Sequence, residues 1–84
     1  MKKYFQSGEI NSEVHDKDAK IKELADKYKS GKISWLDGLT IEFIDYWFNV
    51  RASNTEPFLR LNLEANTKKL MEEKRDEVLK VIRN

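Results

Sequence analysis

Residues 58–65 alternate without interruption, with Leu59, Leu61, Leu63 and Ala65 on one side and Phe58, Arg60, Asn62 and Glu64 on the other. Successive side chains of a strand point to opposite faces, so this segment has one apolar and one polar face. An apolar strand face has to be covered by a second layer. The cover is legible in two helical segments. Asp16 and Asp18 place acids where a helix N-terminus favours them, and Ile21, Leu24, Ala25 and Tyr28 follow at helical spacing. Ser30-Gly31 stops this helix, with Gly31 expected as a left-handed cap. Asn66-Thr67 offers an N-cap for a second helix, which turns Leu70, Met71, Val78, Ile82 and Leu79 or Val81 towards the sheet.

The remaining strands are shorter. Ile10, Ser12 and Val14 alternate within a first strand from about Glu9 to His15. Lys32–Leu36 is a short extended piece, and Asp37-Gly38 is a hairpin turn signal. Leu39, Ile41 and Phe43 alternate with Thr40 and Glu42, Asp45-Tyr46 turns the chain, and Tyr46–Val50 runs on as a strand. The order is β-α-β-β-β-α, with Lys32–Leu36 a candidate extra strand. Neither helix has an apolar stripe wide enough to be buried twice, so both cover one sheet face. The expected fold is α+β, a two-layer sandwich of an antiparallel sheet of about four strands with two helices on one face.

With 84 residues the chain has room for one modest core. Residues 1–8 read as a linker or hinge with Ser7-Gly8 as its joint, and residues 9–84 as the domain. The chain has 16 Lys+Arg against 15 Asp+Glu, which removes the basic field that nucleic-acid binding needs. No apolar run approaches the roughly 20 residues of a membrane span. The absence of cysteine fits a cytoplasmic protein. Neither nucleic acid nor membrane is an expected partner.

The densest chemistry lies in Arg51-Ala52-Ser53-Asn54-Thr55-Glu56-Pro57, between the last two strands. A guanidinium presents a planar fork of donors, and Ser53 and Thr55 add hydroxyl donors. Successive amides of a tight turn form a concave nest for an anion. Pro57 stiffens the loop's exit. These features suit a phosphate; the competing reading is a polar turn whose hydroxyls bond their own backbone.

Arg51-x-Ser53-Asn54-Thr55-Glu56-Pro57, followed by Leu59-Arg60-Leu61 and Glu64-Ala65, resembles the phosphate-binding loop of the α-D-phosphohexomutases. Tyr4-Phe5-x-Ser7-Gly8-Glu9-Ile10-Asn11, Asp37-Gly38-Leu39 and Trp47-Phe48-Asn49-Val50-Arg51 extend the resemblance over nearly the whole chain. It is nearest to the phosphomannomutase/phosphoglucomutase branch. The phosphoglucosamine mutases would have Gly at Asn54, which favours a hexose over an amino sugar. The resemblance implies the C-terminal, fourth domain of a longer enzyme, with that domain's TATA-box-binding-protein-like fold. It implies an enzyme that interconverts hexose 1-phosphate and hexose 6-phosphate through a bisphosphate, with Mg2+ as the parent's cofactor. Arg51, Ser53, Asn54 and Thr55 are then the phosphate ligands, with Arg60 as a secondary one or as half of a cross-strand ion pair. This domain would hold the phosphate that is not being transferred and close the active site. Its partners are a hexose phosphate or free phosphate and the other domains.

No catalytic or metal-binding residue is expected in the chain itself. The family's phosphoserine, magnesium and sugar-recognition loops have no counterpart here, so the 84-residue chain alone should be inactive. Ser53 has no base near it, since the single His15 lies at a strand end more than thirty residues away. Asp16 and Asp18 read as dipole partners, not metal ligands. Glu56 repels phosphate and is assigned as a brace for Arg51, Arg60 or a neighbouring domain. The alternative function is a stand-alone interaction adaptor that uses Trp47, Phe58 and Arg60 on the outer sheet face.

Overall fold

A computed structural model describes residues 4–84. In chain order the elements are β1 (Phe5–Gln6), β2 (Ile10–Glu13), α1 (Lys17–Lys27), β3 (Lys32–Ser34), β4 (Leu39–Glu42), β5 (Tyr46–Ala52), β6 (Phe58–Ala65) and α2 (Lys68–Ile82). The strands form one antiparallel sheet in the order β1-β6-β5-β4-β3, with β2 also paired to β6. This is the expected α+β sandwich, but with six strands among the described residues where about four were expected.

The two extra strands are the edge pieces. β3 confirms the candidate strand at Lys32 but ends at Ser34, opposite Thr40, ahead of the turn at residues 36–37. β1 falls within the expected linker, where residues 5–7 are tied to β6 and residues 1–3 lie outside the described residues. Pairing runs from Gln6↔Glu64 to Ile10↔Leu61, so the edge has one residue more than β6 over that interval. The surplus is a β-bulge at Ser7–Glu9, and Gly8 supplies its positive φ of 75°. Ser7 donates its N–H to the Leu63 carbonyl at 2.8 Å, and its hydroxyl accepts from the Leu63 N–H at 3.0 Å. One serine thus satisfies both backbone groups of Leu63.

Among the described residues, the buried apolar side chains form one cluster between the sheet and the helices. Leu39, Ile41, Phe48, Val50, Leu59, Leu61 and Leu63 are almost wholly buried from the sheet, as are Leu24 of α1 and Val78 and Ile82 of α2. Tyr28 stands edge-on to Phe48, with ring centroids 5.1 Å apart, and Phe43 stacks on Tyr46 at 4.6 Å. Two side chains set the helix starts: Asp16 accepts from the Ala19 N–H at 3.1 Å and Thr67 from the Leu70 N–H at 3.1 Å.

Gly31 is not a left-handed cap; only Gly8 and Gly38 among the glycines have positive φ. α1 ends instead at Tyr28, whose N–H bonds the Leu24 carbonyl. Gly31 is needed for close approach, because a Cβ there would sit 2.5 Å from Ile41 Cγ2 and 2.8 Å from Phe43 Cζ. It lets the chain leave α1 flush against β4.

Candidate functional site

β5 and β6 are the longest-paired strands, and the loop at residues 53–57 joins them. Val50, Leu59 and Leu61 point into the core, so Arg51 and Arg60 point to the outer face. The register sets Arg51 directly opposite Arg60. The cross-strand ion-pair reading of Arg60 is thereby corrected: its partners across the two pairings are Arg51 and Asn11. Among the described residues, no carboxylate lies within 4.0 Å of it. Like charges directly opposite on neighbouring strands repel, and an anion between them removes the repulsion.

Arg51 leans over the β3–β4 turn. Its Nε is 3.4 Å from Asp37 Oδ1, and its side chain is 55% exposed. This is longer than the roughly 2.7–2.9 Å of a charge-assisted hydrogen bond. Exposed pairs of this kind are worth about 0–1 kcal/mol, so the guanidinium is easily released to a better acceptor. Gly38 carries the turn at φ 69° and lies beneath Arg51; an added Cβ would be 2.6 Å from the Val50 carbonyl and 2.9 Å from Arg51 Cγ. Asn49 pins the same turn by donating to the Asp37 carbonyl at 2.6 Å and to Thr40 Oγ1 at 2.9 Å.

The loop itself is partly closed on itself. The Ser53 N–H donates to the Phe58 carbonyl at 3.0 Å, and Ser53 Oγ accepts from the Glu56 N–H at 3.3 Å. The Asn54 and Thr55 amides have no intramolecular acceptor among the described residues. Arg51, Ala52, Ser53, Asn54 and Arg60 line a cavity of about 230 Å³. The fold therefore gathers Arg51, Ser53, Asn54 and Arg60, and leaves exposed Thr55 at the loop tip outside that lining. Glu56 braces neither arginine, since its carboxylate meets no cation within 4.0 Å among the described residues.

Residues 9–81 match the family model described as phosphoglucomutase/phosphomannomutase, C-terminal domain. The chain belongs to this family. It is 46% identical over 80 residues to a phosphomannomutase of Methanocaldococcus jannaschii, covering 95% of this chain and 18% of that protein. It is 37% identical over 86 residues to a protein named phosphohexose mutases from Xanthomonas campestris, covering 99% of this chain and 19% of that one. A probable phosphoglucosamine mutase of Pyrococcus horikoshii is 35% identical over 71 residues, covering 84% of this chain and 15% of that protein. The chain thus spans less than a fifth of the length of these relatives.

Within this phosphoglucomutase/phosphomannomutase C-terminal domain, sequence reasoning missed three residues at the site. Lys17, Asn49 and Asp37 each act through a contact that depends on tertiary placement. Asn49 had a signal available, as a polar residue between Phe48 and Val50 in a strand otherwise rich in apolar and aromatic residues. His15 lies between β2 and α1 and is not among the residues that line the cavity with Arg51 and Arg60. Asp16 is committed as an N-cap, as its reading as a dipole partner anticipated. Among the described residues, no group of three or more His, Cys, Asp or Glu gathers as a metal-ligand set. Among the same residues, no helix is long and apolar enough to cross a membrane.

Proposed function

We propose that the domain holds the non-transferred phosphate of a hexose phosphate for a longer phosphohexomutase. The observation that carries this reading is the opposition of Arg51 and Arg60 beside a loop with two free amides. Together the two guanidinium groups and the Asn54 amide make a donor set for a dianion. Such donors recognise a phosphate as such and accept either end of the sugar. A bisphosphate intermediate that turns round between half-reactions requires that tolerance. Binding energy from this remote handle offsets the cost of positioning the reacting end.

The parent enzyme interconverts hexose 1-phosphate and hexose 6-phosphate in the cytoplasm. The serine that carries the transferred phosphoryl group, and the residues that hold its magnesium, belong to other parts of that protein. Relatives are named for both hexose and amino-sugar substrates, so the preference for a hexose rests on Asn54 alone. The domain closes over the substrate as a lid and excludes water from the reaction. Exposed Trp35 and Leu36 at one end of β4, and Ile44 at the other, fit contacts with the other domains.

Titration of the chain with inorganic phosphate, followed by amide NMR shifts, tests the reading. Shifts centred on residues 51–55 and 60 are expected. Arg51→Ala should weaken binding by one charge-assisted bond of about 1.5–3 kcal/mol, or about 10- to 150-fold. An unchanged affinity in that variant, or shifts confined to Trp47 and Phe58, would overturn the assignment.

A further inference from the structure

Lys17 opens α1 and contacts the phosphate loop from behind. Its ammonium donates to the Ser53 carbonyl at 2.6 Å and to the Glu56 carbonyl at 3.1 Å. A cation in the first turn of a helix sits at the unfavourable end of the helix dipole. Among the described residues, no carboxylate within 4.0 Å compensates it. The two loop carbonyls are what hold it there. A neighbouring bond, from the Val14 N–H to the Pro57 carbonyl at 2.8 Å, fixes the same side of the loop to the β2–α1 junction.

The consequence follows from peptide geometry. The Ser53 carbonyl and the Asn54 N–H belong to one planar trans group and point in opposite directions. A lysine that draws the Ser53 carbonyl to itself therefore turns the Asn54 N–H away from α1. That N–H is one of the two loop amides without an intramolecular acceptor. We infer that Lys17 is a positioning residue for the anion site: it fixes the Ser53–Asn54 peptide so that the Asn54 amide is presented to phosphate before the ligand arrives. This rests on the phosphate-holding reading above for its function, though not for the loop geometry. Preorganisation of this kind removes an ordering cost from binding.

The test compares the wild-type chain with Lys17→Met and Lys17→Arg. In phosphate-free buffer, Lys17→Met should lower the order parameter of the Asn54 amide from about 0.85 to below about 0.6, and Lys17→Arg should restore it. An unchanged value overturns the inference, whatever phosphate does. With inorganic phosphate, Lys17→Met should bind about 10-fold more weakly, as for loss of one charge-assisted bond, and lose the Asn54 shift while keeping that of Arg60. If the deficit vanishes in about 1 M inert salt, where screening acts within about 3 Å, the lysine acts by charge alone and the positioning role fails. A wild-type chain that shifts at neither Asn54 nor Thr55 sinks the phosphate reading instead. The phosphate-free order parameter then still decides the role of Lys17.

Discussion

Replacing Gly38 by Ala probes the turn that lies beneath Arg51, and its cost separates into two parts. The backbone there has φ 69°, a region in which an L side chain costs about 1–2 kcal/mol. The new methyl would also stand 2.6 Å from the Val50 carbonyl oxygen, a backbone atom held in the sheet, and 2.9 Å from Arg51 Cγ. Over-packing against atoms that cannot yield adds about 1–3 kcal/mol. Gly8→Ala is the internal control. Its φ of 75° carries the same conformational cost, but nothing lies within 4 Å of the added Cβ. Gly38→Ala should therefore lose about 2–5 kcal/mol and Gly8→Ala only about 1–2 kcal/mol. A domain of this size is stable by roughly 4–13 kcal/mol, so both variants should remain measurable in all but the weakest case. Urea unfolding followed by circular dichroism reads the two values, and thermal midpoints should differ by roughly 5–20 °C. If the two variants agree within about 0.5 kcal/mol, the close approach of Gly38 to β5 is not a constraint on the turn beneath Arg51.

Two further outcomes follow from the core. Phe48 is fully buried and edge-on to Tyr28, so Phe48→Ala should cost about 3–5 kcal/mol in chemical denaturation; a loss below about 1.5 kcal/mol would mean that the site collapses around the missing ring. Tyr28 and Tyr46 both ionise less readily than a free phenol at 10.0: burial and the hydrogen bond to Glu77 raise Tyr28, while burial, then Glu77 and Asp45, push Tyr46 up to about 12. The neutral rings thus stabilise the fold, in full below the ordinary phenol value and less as pH rises through about 12. Tyr46→Phe should flatten the fall in stability between about pH 9 and pH 12, and an identical pH profile for both chains would refute the assignment.

Much of this domain was legible in its sequence because the signals were local. The alternation of residues 58–65 fixes which side chains of β6 face the core, since side-chain period alone decides it. Asp16 and Thr67 cap their helices through bonds to residues three positions on, which the chain supplies without help from the fold. The donor cluster at residues 51–57 was also legible after a strand read as ending at Val50, although Arg51 and Ala52 belong to β5.

What the tertiary structure decided depends on residues far apart in the chain. Phe5–Gln6 is too short to show a period and becomes a strand only because β6 offers an unpaired edge. Gly31 reads as a cap in sequence, yet its requirement comes from Ile41 and Phe43 across the interface. Arg51 faces Arg60 only through the β5–β6 register, which one slipped residue would abolish. Lys17 meets Ser53 across 36 positions, a contact set by how α1 packs behind the loop. Sequence patterns record which face a side chain takes; which other face it meets is a property of the assembled layers.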